Sequence, residues 1–196
     1  MRIRTLAFAT LAILMALAFS PHSSFGKPLY DIKKISPAVD MTPEYSVNPT
    51  PQHPSGRSQQ WLEVEVAFES NIEWTDELTV RYFILIDDQC LTGEVTHIDI
   101  PRSSPGRELY SVMYISPRTL QHITGGKQLS SNDIQDVGVQ LVSKGQVLVT
   151  KSYKAQGDQQ WWQSLQQVAG KVLNKNQTPF APMLWDRYEQ IKAGGP

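Results

Sequence analysis

The chain has 196 residues, a formal net charge of −1 and a single cysteine, Cys90. One cysteine excludes an intramolecular disulfide framework, and the near-neutral charge gives no support for binding nucleic acid. A chain of this length can bury a core of its own, so we expect one domain with appendages.

Residues 1–26 have the pattern of a secretory signal. Two arginines precede an apolar run from Leu6 to Phe19, which is shorter than the ~20 residues that a membrane span needs. Small residues before Lys27 suit a cleavage site. We therefore expect an exported protein of the periplasm, the outer membrane or the extracellular surface, without a membrane span after removal of the signal. An uncleaved anchor is the alternative.

Residues 27–56 predict one edge strand followed by a proline-rich linker, because proline removes backbone donors and is tolerated at sheet edges. Residues 57–156 contain several short runs in which apolar and polar side chains alternate. One helical stretch interrupts them, with Ser116 as its cap and Gly125 as its end. Short strands separated by turns predict an all-β, antiparallel β-sandwich with one short inserted helix. The alternation places these side chains in its core: Val64, Val66, Val80, Tyr82 and Ile84.

Residues 157–196 change to a helical period and predict C-terminal helices. Apolar residues recur at i, i+4, i+7 and i+11 from Trp161 to Val172, which predicts a helix over 158–174. The stretch TPFAPMLWDRYEQIK, residues 178–192, predicts a second, short helix. Its apolar face needs a cover, either the rest of this chain or a partner protein. The residues predicted for this helix-packing or partner-docking face are Phe180, Leu184, Trp185, Tyr188 and Ile191.

One stretch, DDQCLTGEVTHID, contains several residues whose side chains could take part in catalysis or metal binding. Period-two alternation places His97 and Asp99 on one face of a strand, with Asp87 and Asp88 across a turn. A metal site needs three or four convergent ligands, and the spacing here supplies too few. We therefore predict no catalytic residue, metal or cofactor, and expect Cys90 to be a buried apolar residue.

Two of the five tryptophans, Trp61 and Trp74, are candidates for exposed aromatic side chains. Trp61 alternates with outward-facing glutamates, and Trp74 lies in a predicted turn. Exposed aromatic rings can stack on sugars or contact a partner, although packing is the commoner use of such large side chains. These two residues are therefore candidates for glycan or partner contact.

Residues 91–120, LTGEVTHIDIPRSSPGRELYSVMYISPRTL, and residues 178–192 resemble a family of small exported proteins encoded near type IV pilus components in verrucomicrobial gut bacteria. The resemblance implies an immunoglobulin-like sandwich related to archaeal pilus subunits, with a pilus-associated or surface role and no known catalysis. The cleavable-looking signal departs from the acidic signature of pilins that polymerise through a helix. This departure argues against a major pilin.

Together, the residues and the resemblance predict a non-catalytic, exported interaction or structural module. We expect it to assemble or support a type IV pilus-like appendage or an envelope complex, with envelope or pilus proteins as partners. Its oligomeric state is left open. The alternative is a glycan- or host-binding surface module, and the third hypothesis is a metal-dependent enzyme around His97 and Asp99.

Overall fold

The computed structural model describes residues 27–44, 58–154, 160–184 and 186–194, so the predicted signal lies outside the described residues. Within these ranges the chain forms nine strands and one α-helix. They are β1 (Tyr30–Met41), β2 (Gln60–Ser70), β3 (Trp74–Ile86), β4 (Gln89–Pro101), β5 (Leu109–Ile115), α1 (Pro117–Thr124), β6 (Ile134–Ser143), β7 (Gln146–Ser152), β8 (Gln167–Ala169) and β9 (Val172–Asn174). None of the described helices is long and apolar enough to cross a membrane.

The strands form two sheets that pack into a sandwich. Sheet A has the order β1-β2-β5-β9, and sheet B has the order β7-β6-β3-β4-β8. All neighbours pair antiparallel except β4 and β8, which are parallel. The prediction of a mostly β sandwich with one short helix is confirmed.

The core lies between the sheets and follows the alternation in the sequence. In β2 the apolar side chains of every second residue point inward, as expected for a strand with one covered face. β3 lies between β4 and β6, which explains its nearly continuous apolar run. All five predicted core residues are fully buried, namely Val64, Val66, Val80, Tyr82 and Ile84.

Local signals set the helix and the last hairpin. The hydroxyl of Ser116 accepts a hydrogen bond from the backbone N–H of Thr119 at 3.3 Å, and Gly125 ends α1 with a φ of 63°. In the turn between β6 and β7, Lys144 and Gly145 have φ values of 50° and 78°. Two consecutive positive φ values match the twist of a two-residue hairpin.

The predicted helix over 158–174 is wrong. Trp161–Ser164 forms a single 3-10 turn, after which β8 pairs with β4, and β9 pairs with β5 in the other sheet. Gly170, with a φ of 75°, makes the turn between these two short strands. The helical spacing was outweighed because both sheets have free edges, whose backbone groups the segment satisfies.

The second predicted helix, within 178–192, is also wrong. Ala181 N–H donates to the Thr178 carbonyl at 3.2 Å and Met183 N–H to the Phe180 carbonyl at 3.0 Å, which are isolated turns. Leu184 then has a φ of 48°, outside the range of a right-handed helix. The chain continues as an extended segment along the edge of β4.

Replacing Val66 by aspartate should cost at least about 3 kcal/mol of the free energy of unfolding, because it buries an unpaired charge between the sheets. Denaturant titration measures the loss. Val147→Asp, the same change at a side chain that is 42% exposed on β7, is the control and should stay within about 0.5 kcal/mol. Equal stability of Val66→Asp and wild type would contradict this strand assignment.

Candidate functional site

The C-terminal tail, defined here as residues 175–194, packs on the outer face of sheet A. The ring of Phe180 stacks on Tyr114 with centroids 4.6 Å apart, and it meets the edge of Trp61 at 5.6 Å. Trp61 is only 8% exposed, and its indole N–H donates to the Thr42 hydroxyl at 3.1 Å. The expectation of an exposed Trp61 is therefore wrong, because the tail covers it.

A carboxylate on β2 holds the next part of the tail. Both oxygens of Glu65 accept hydrogen bonds from the Arg187 guanidinium at 2.8 Å, and one also accepts from the Tyr188 hydroxyl at 3.0 Å. The guanidinium lies 4.0 Å from the centroid of the Tyr110 ring. Burial by itself would raise the pKa of Glu65, but the hydrogen bonds from Arg187 and Tyr188 lower it. Glu65 is thus an ionised anchor for the tail.

A neighbouring carboxyl group on the same face behaves differently. Burial raises the pKa of Glu63 to about 7, and the nearby carboxylates of Asp40 and Glu65 act in the same direction. The Tyr114 hydroxyl donates to Glu63 at 2.8 Å and opposes the shift. Beneath the tail, sheet A therefore carries one carboxyl group that stays charged and one that gains a proton near neutral pH.

A buried chain of hydrogen bonds connects the sandwich interior to the tail. The Tyr82 hydroxyl donates to Ser111 Oγ at 2.7 Å, which lies 2.7 Å from His97 Nε2. His97 Nδ1 lies 3.0 Å from the backbone carbonyl of Glu189. A neutral imidazole with its proton on Nδ1 satisfies all three contacts, since Ser111 can then donate to Nε2. Burial lowers the pKa of His97 to about 4, against smaller opposing effects of its backbone hydrogen bonds.

The tail also bonds to the backbone of both sheets. In sheet B, Ile98 N–H donates to the Gln190 carbonyl at 3.0 Å, and Lys192 N–H donates to the Thr96 carbonyl at 2.8 Å. In sheet A, the Tyr110 carbonyl accepts from the N–H of Glu189 at 3.0 Å. The tail therefore connects β4 of one sheet to β5 of the other.

The described residues of the predicted docking face do not share one environment. Phe180 is buried, Tyr188 packs beside it, and Ile191 packs against the main core. Leu184 points away and is 56% exposed. Trp185 lies outside the described residues. For the described members of the face other than Leu184, the cover is this chain's own sandwich.

The predicted chemical cluster does not converge. His97 faces the interior, whereas Asp99 is exposed and has a φ of 53°, which breaks the alternation that placed both on one face. Asp87 and Asp88 lie in the β3–β4 turn, at the far end of β4. Within the described residues, no group of three His, Cys, Asp or Glu side chains is placed to hold a metal ion.

The sequence analysis did not predict which side chain covers the outer face of sheet B. Trp162 stacks on Phe83 at 4.5 Å, next to the buried Cys90, and burial raises the pKa of that thiol to about 11. The indole lies directly on Gly138, where an added Cβ would be 2.1 Å from Trp162 Cζ3. A glycine inside an otherwise apolar strand was the available signal, since such glycines mark close approach of another group.

Sequence reasoning also missed a cleft of about 860 Å³ beside the free part of β4. Its walls come from β4, the β8–β9 turn and the end of the tail, so only folding brings them together. An ion pair between Arg81 and Glu94, 3.1 Å apart, lies on one side. The side-chain amides that line the cleft are those of Gln167, Asn174, Asn176 and Gln177.

Comparison with known proteins agrees with this architecture. A protein-family model matches residues 24–194. A crystal structure of a protein from Akkermansia muciniphila superposes with a TM-score of 0.70 and 24% sequence identity, over 85% of this chain and 94% of that chain. No curated protein is detectably similar. At this identity, the superposition shows a shared fold alone.

Loss of the His97 contribution should lower the stability of the sandwich as the pH drops from 6.5 towards 4, against an opposite contribution from Glu63, whose raised pKa favours the folded state as the pH falls. His97 has a folded-state pKa of about 4 against an ordinary value of 6.5, so its contribution is complete above 6.5 and is lost as the pH falls through the folded value. His97→Gln should have lower stability at pH 7 and a smaller loss across this window. Denaturant titrations at several pH values measure both. His122→Gln, at an exposed position of α1, should retain the wild-type loss, and an unchanged loss in His97→Gln would contradict this role.

Replacing Phe180 by alanine should cost about 3 kcal/mol or more of the free energy of unfolding, because it removes a buried ring between Trp61 and Tyr114. Met183→Ala, at a side chain that is 40% exposed, is the control and should change the free energy of unfolding little.

Truncation after Asn176 should destabilise the protein further than Phe180→Ala does. A truncated chain that melts like wild type would instead indicate a tail used as a partner anchor.

Proposed function

Because the chain belongs to the family whose model matches residues 24–194 and shares its fold with a protein from Akkermansia muciniphila, we propose that it is a non-catalytic, exported structural module. Its role is to assemble or support a type IV pilus-like surface appendage or a related envelope complex. Its partners are envelope or pilus proteins, and it works in the periplasm, at the outer membrane or on the cell surface.

The observation that supports this proposal is that the side chains capable of chemistry are engaged in contacts within the fold. Both ring nitrogens of His97 are engaged in the interior, by Ser111 and by the Glu189 carbonyl. Glu65 is occupied by Arg187 and Tyr188. These groups fasten the tail to the sandwich, as a mechanical or scaffolding role requires. We do not propose metal chemistry around His97 and Asp99, since the two side chains face different surroundings.

We further propose that the sandwich is of the immunoglobulin-like kind. Two mainly antiparallel sheets face each other, and the chain crosses from sheet B to sheet A between β8 and β9. Such domains present their loops and free edges to partners. Since the tail occupies the outer face of sheet A, the surfaces left for a partner are the loops, the remaining edges and the cleft.

Chemical crosslinking in the native cell, followed by purification of the tagged full chain and mass spectrometry, tests the proposed role. We expect enrichment of pilus or envelope-complex components over a second exported protein of similar size that carries the same tag. Phe180→Ala, which should loosen the tail, should reduce this recovery. A set of crosslinked proteins that does not differ from that of the exported control would contradict the assembly role.

A glycan- or host-binding module is the second candidate, and the cleft favours it. Side-chain amides and the Arg81–Glu94 pair offer donors and acceptors of the kind that hold sugar hydroxyls, while Trp74 is 63% exposed elsewhere on the molecule. A glycan array probed with wild type and with Asn176→Ala and Trp74→Ala tests it. Binding that one of these variants abolishes would favour this function over assembly.

A further inference from the structure

One end of the sandwich concentrates exposed apolar side chains. We define the N-terminal end by residues 27–29, 71–74, 101–107 and 144–147. Asn71 N–H donates to the Leu29 carbonyl at 2.8 Å, and Trp74 pairs with Pro101. The β6–β7 turn lies beside the start of β3, since Ser143 Oγ is 3.5 Å from the Glu77 carbonyl.

Among the described residues, Trp74 and Leu29 are the two most exposed large apolar side chains, at 63% and 60%. Val147, at 42%, lies near the turn at this same end. Isolated exposed apolar residues are ordinary. When a tryptophan and a leucine are both exposed at one end of a domain, they form an apolar surface that is suited to contact with a partly apolar medium.

The loops of the N-terminal end are basic, although the whole chain has a net charge of −1. The guanidinium of Arg102 donates to the Asn71 carbonyl at 3.1 Å, which holds it over the loop before Trp74. Glu73 and Glu108, which adjoins Arg107 and accepts a hydrogen bond from the Tyr110 hydroxyl at 3.1 Å, are the acidic residues of these loops, so basic residues outnumber acidic ones. The exposed basic residues of the loops are Lys27, Arg102, Arg107 and Lys144.

The sequence preceding the described fold arrives at this same end. Lys27, the first described residue, follows a 26-residue segment that contains the apolar run from Leu6 to Phe19. If that segment is retained in a membrane, it holds the side of the domain that carries Leu29 and Trp74 towards the bilayer. The opposite end of β1, at Met41, is farthest from it.

We propose that the N-terminal end binds the surface of an anionic phospholipid bilayer. Trp74 and Leu29 enter the interfacial layer, where tryptophan is favoured, and the four basic residues face the lipid phosphates. Few apolar residues combined with a few basic ones give reversible attachment. The domain would then stand on the membrane by this end, with the cleft and the loops of the opposite end free. The inference does not depend on the appendage role.

Vesicle flotation tests this proposal. The probe is the exported chain after removal of residues 1–26, since the described fold lies entirely within residues 27–194. Wild type should float with vesicles of three parts phosphatidylglycerol to seven parts phosphatidylcholine, and much less with pure phosphatidylcholine or in high salt. Arg102→Glu should lower the partition coefficient roughly fivefold or more, and Leu29→Ala with Trp74→Ala should lower it on vesicles of either composition.

Matched controls sit at the opposite end of the sandwich. Met41→Ala changes a side chain that is 50% exposed, and Lys127→Glu reverses an exposed charge after α1. Both should float like wild type, and the circular dichroism of every variant confirms folding. Wild type that stays in solution with the anionic vesicles would overturn the proposal, as would equal losses in the control variants. Crosslinks from the N-terminal end to an envelope protein in the absence of vesicle binding would assign this surface to a protein partner instead.

Discussion

The free edge of β4 is the constraint on which the rest of the structure depends. A sheet edge presents unpaired N–H and C=O groups that would otherwise pair with another chain. Here β8 pairs along residues 90–92 and the tail bonds to Thr96 and Ile98. Because the same C-terminal segment also bonds to β5, covering this edge fastens the two sheets together.

The buried hydrogen-bond chain of Tyr82, Ser111 and His97 depends on the fastening of the two sheets by the C-terminal segment. These side chains come from β3, β5 and β4, so they meet only when both sheets are in place. The last link, from His97 to the Glu189 carbonyl, forms only when the tail is docked. A fully satisfied buried network favours one arrangement over its competitors, because any other arrangement leaves a polar group unpaired.

The outer faces of the sandwich are closed by single aromatic side chains from the C-terminal segment. Phe180 covers sheet A between Trp61 and Tyr114, and Trp162 covers sheet B over Phe83. The apolar surface of the described residues that remains is therefore concentrated at loops and ends. This explains why the aromatic tail, which resembles a docking segment in the sequence, is part of the domain, while the surfaces open to other molecules lie elsewhere.

The sequence by itself determined the elements whose signals are local. Alternation identified β2 and β3, and Ser116 and Gly125 bounded α1. The direction of Asp99 was beyond it, because the positive φ of this residue breaks the alternation that Val95 and His97 follow. The C-terminal segment was decided by tertiary structure alone. Its helical spacing from Trp161 to Val172 was outweighed by free edges formed by residues many positions earlier in the chain. Backbone groups at an edge must be paired, and this requirement is stronger than the weak intrinsic preference of a short segment.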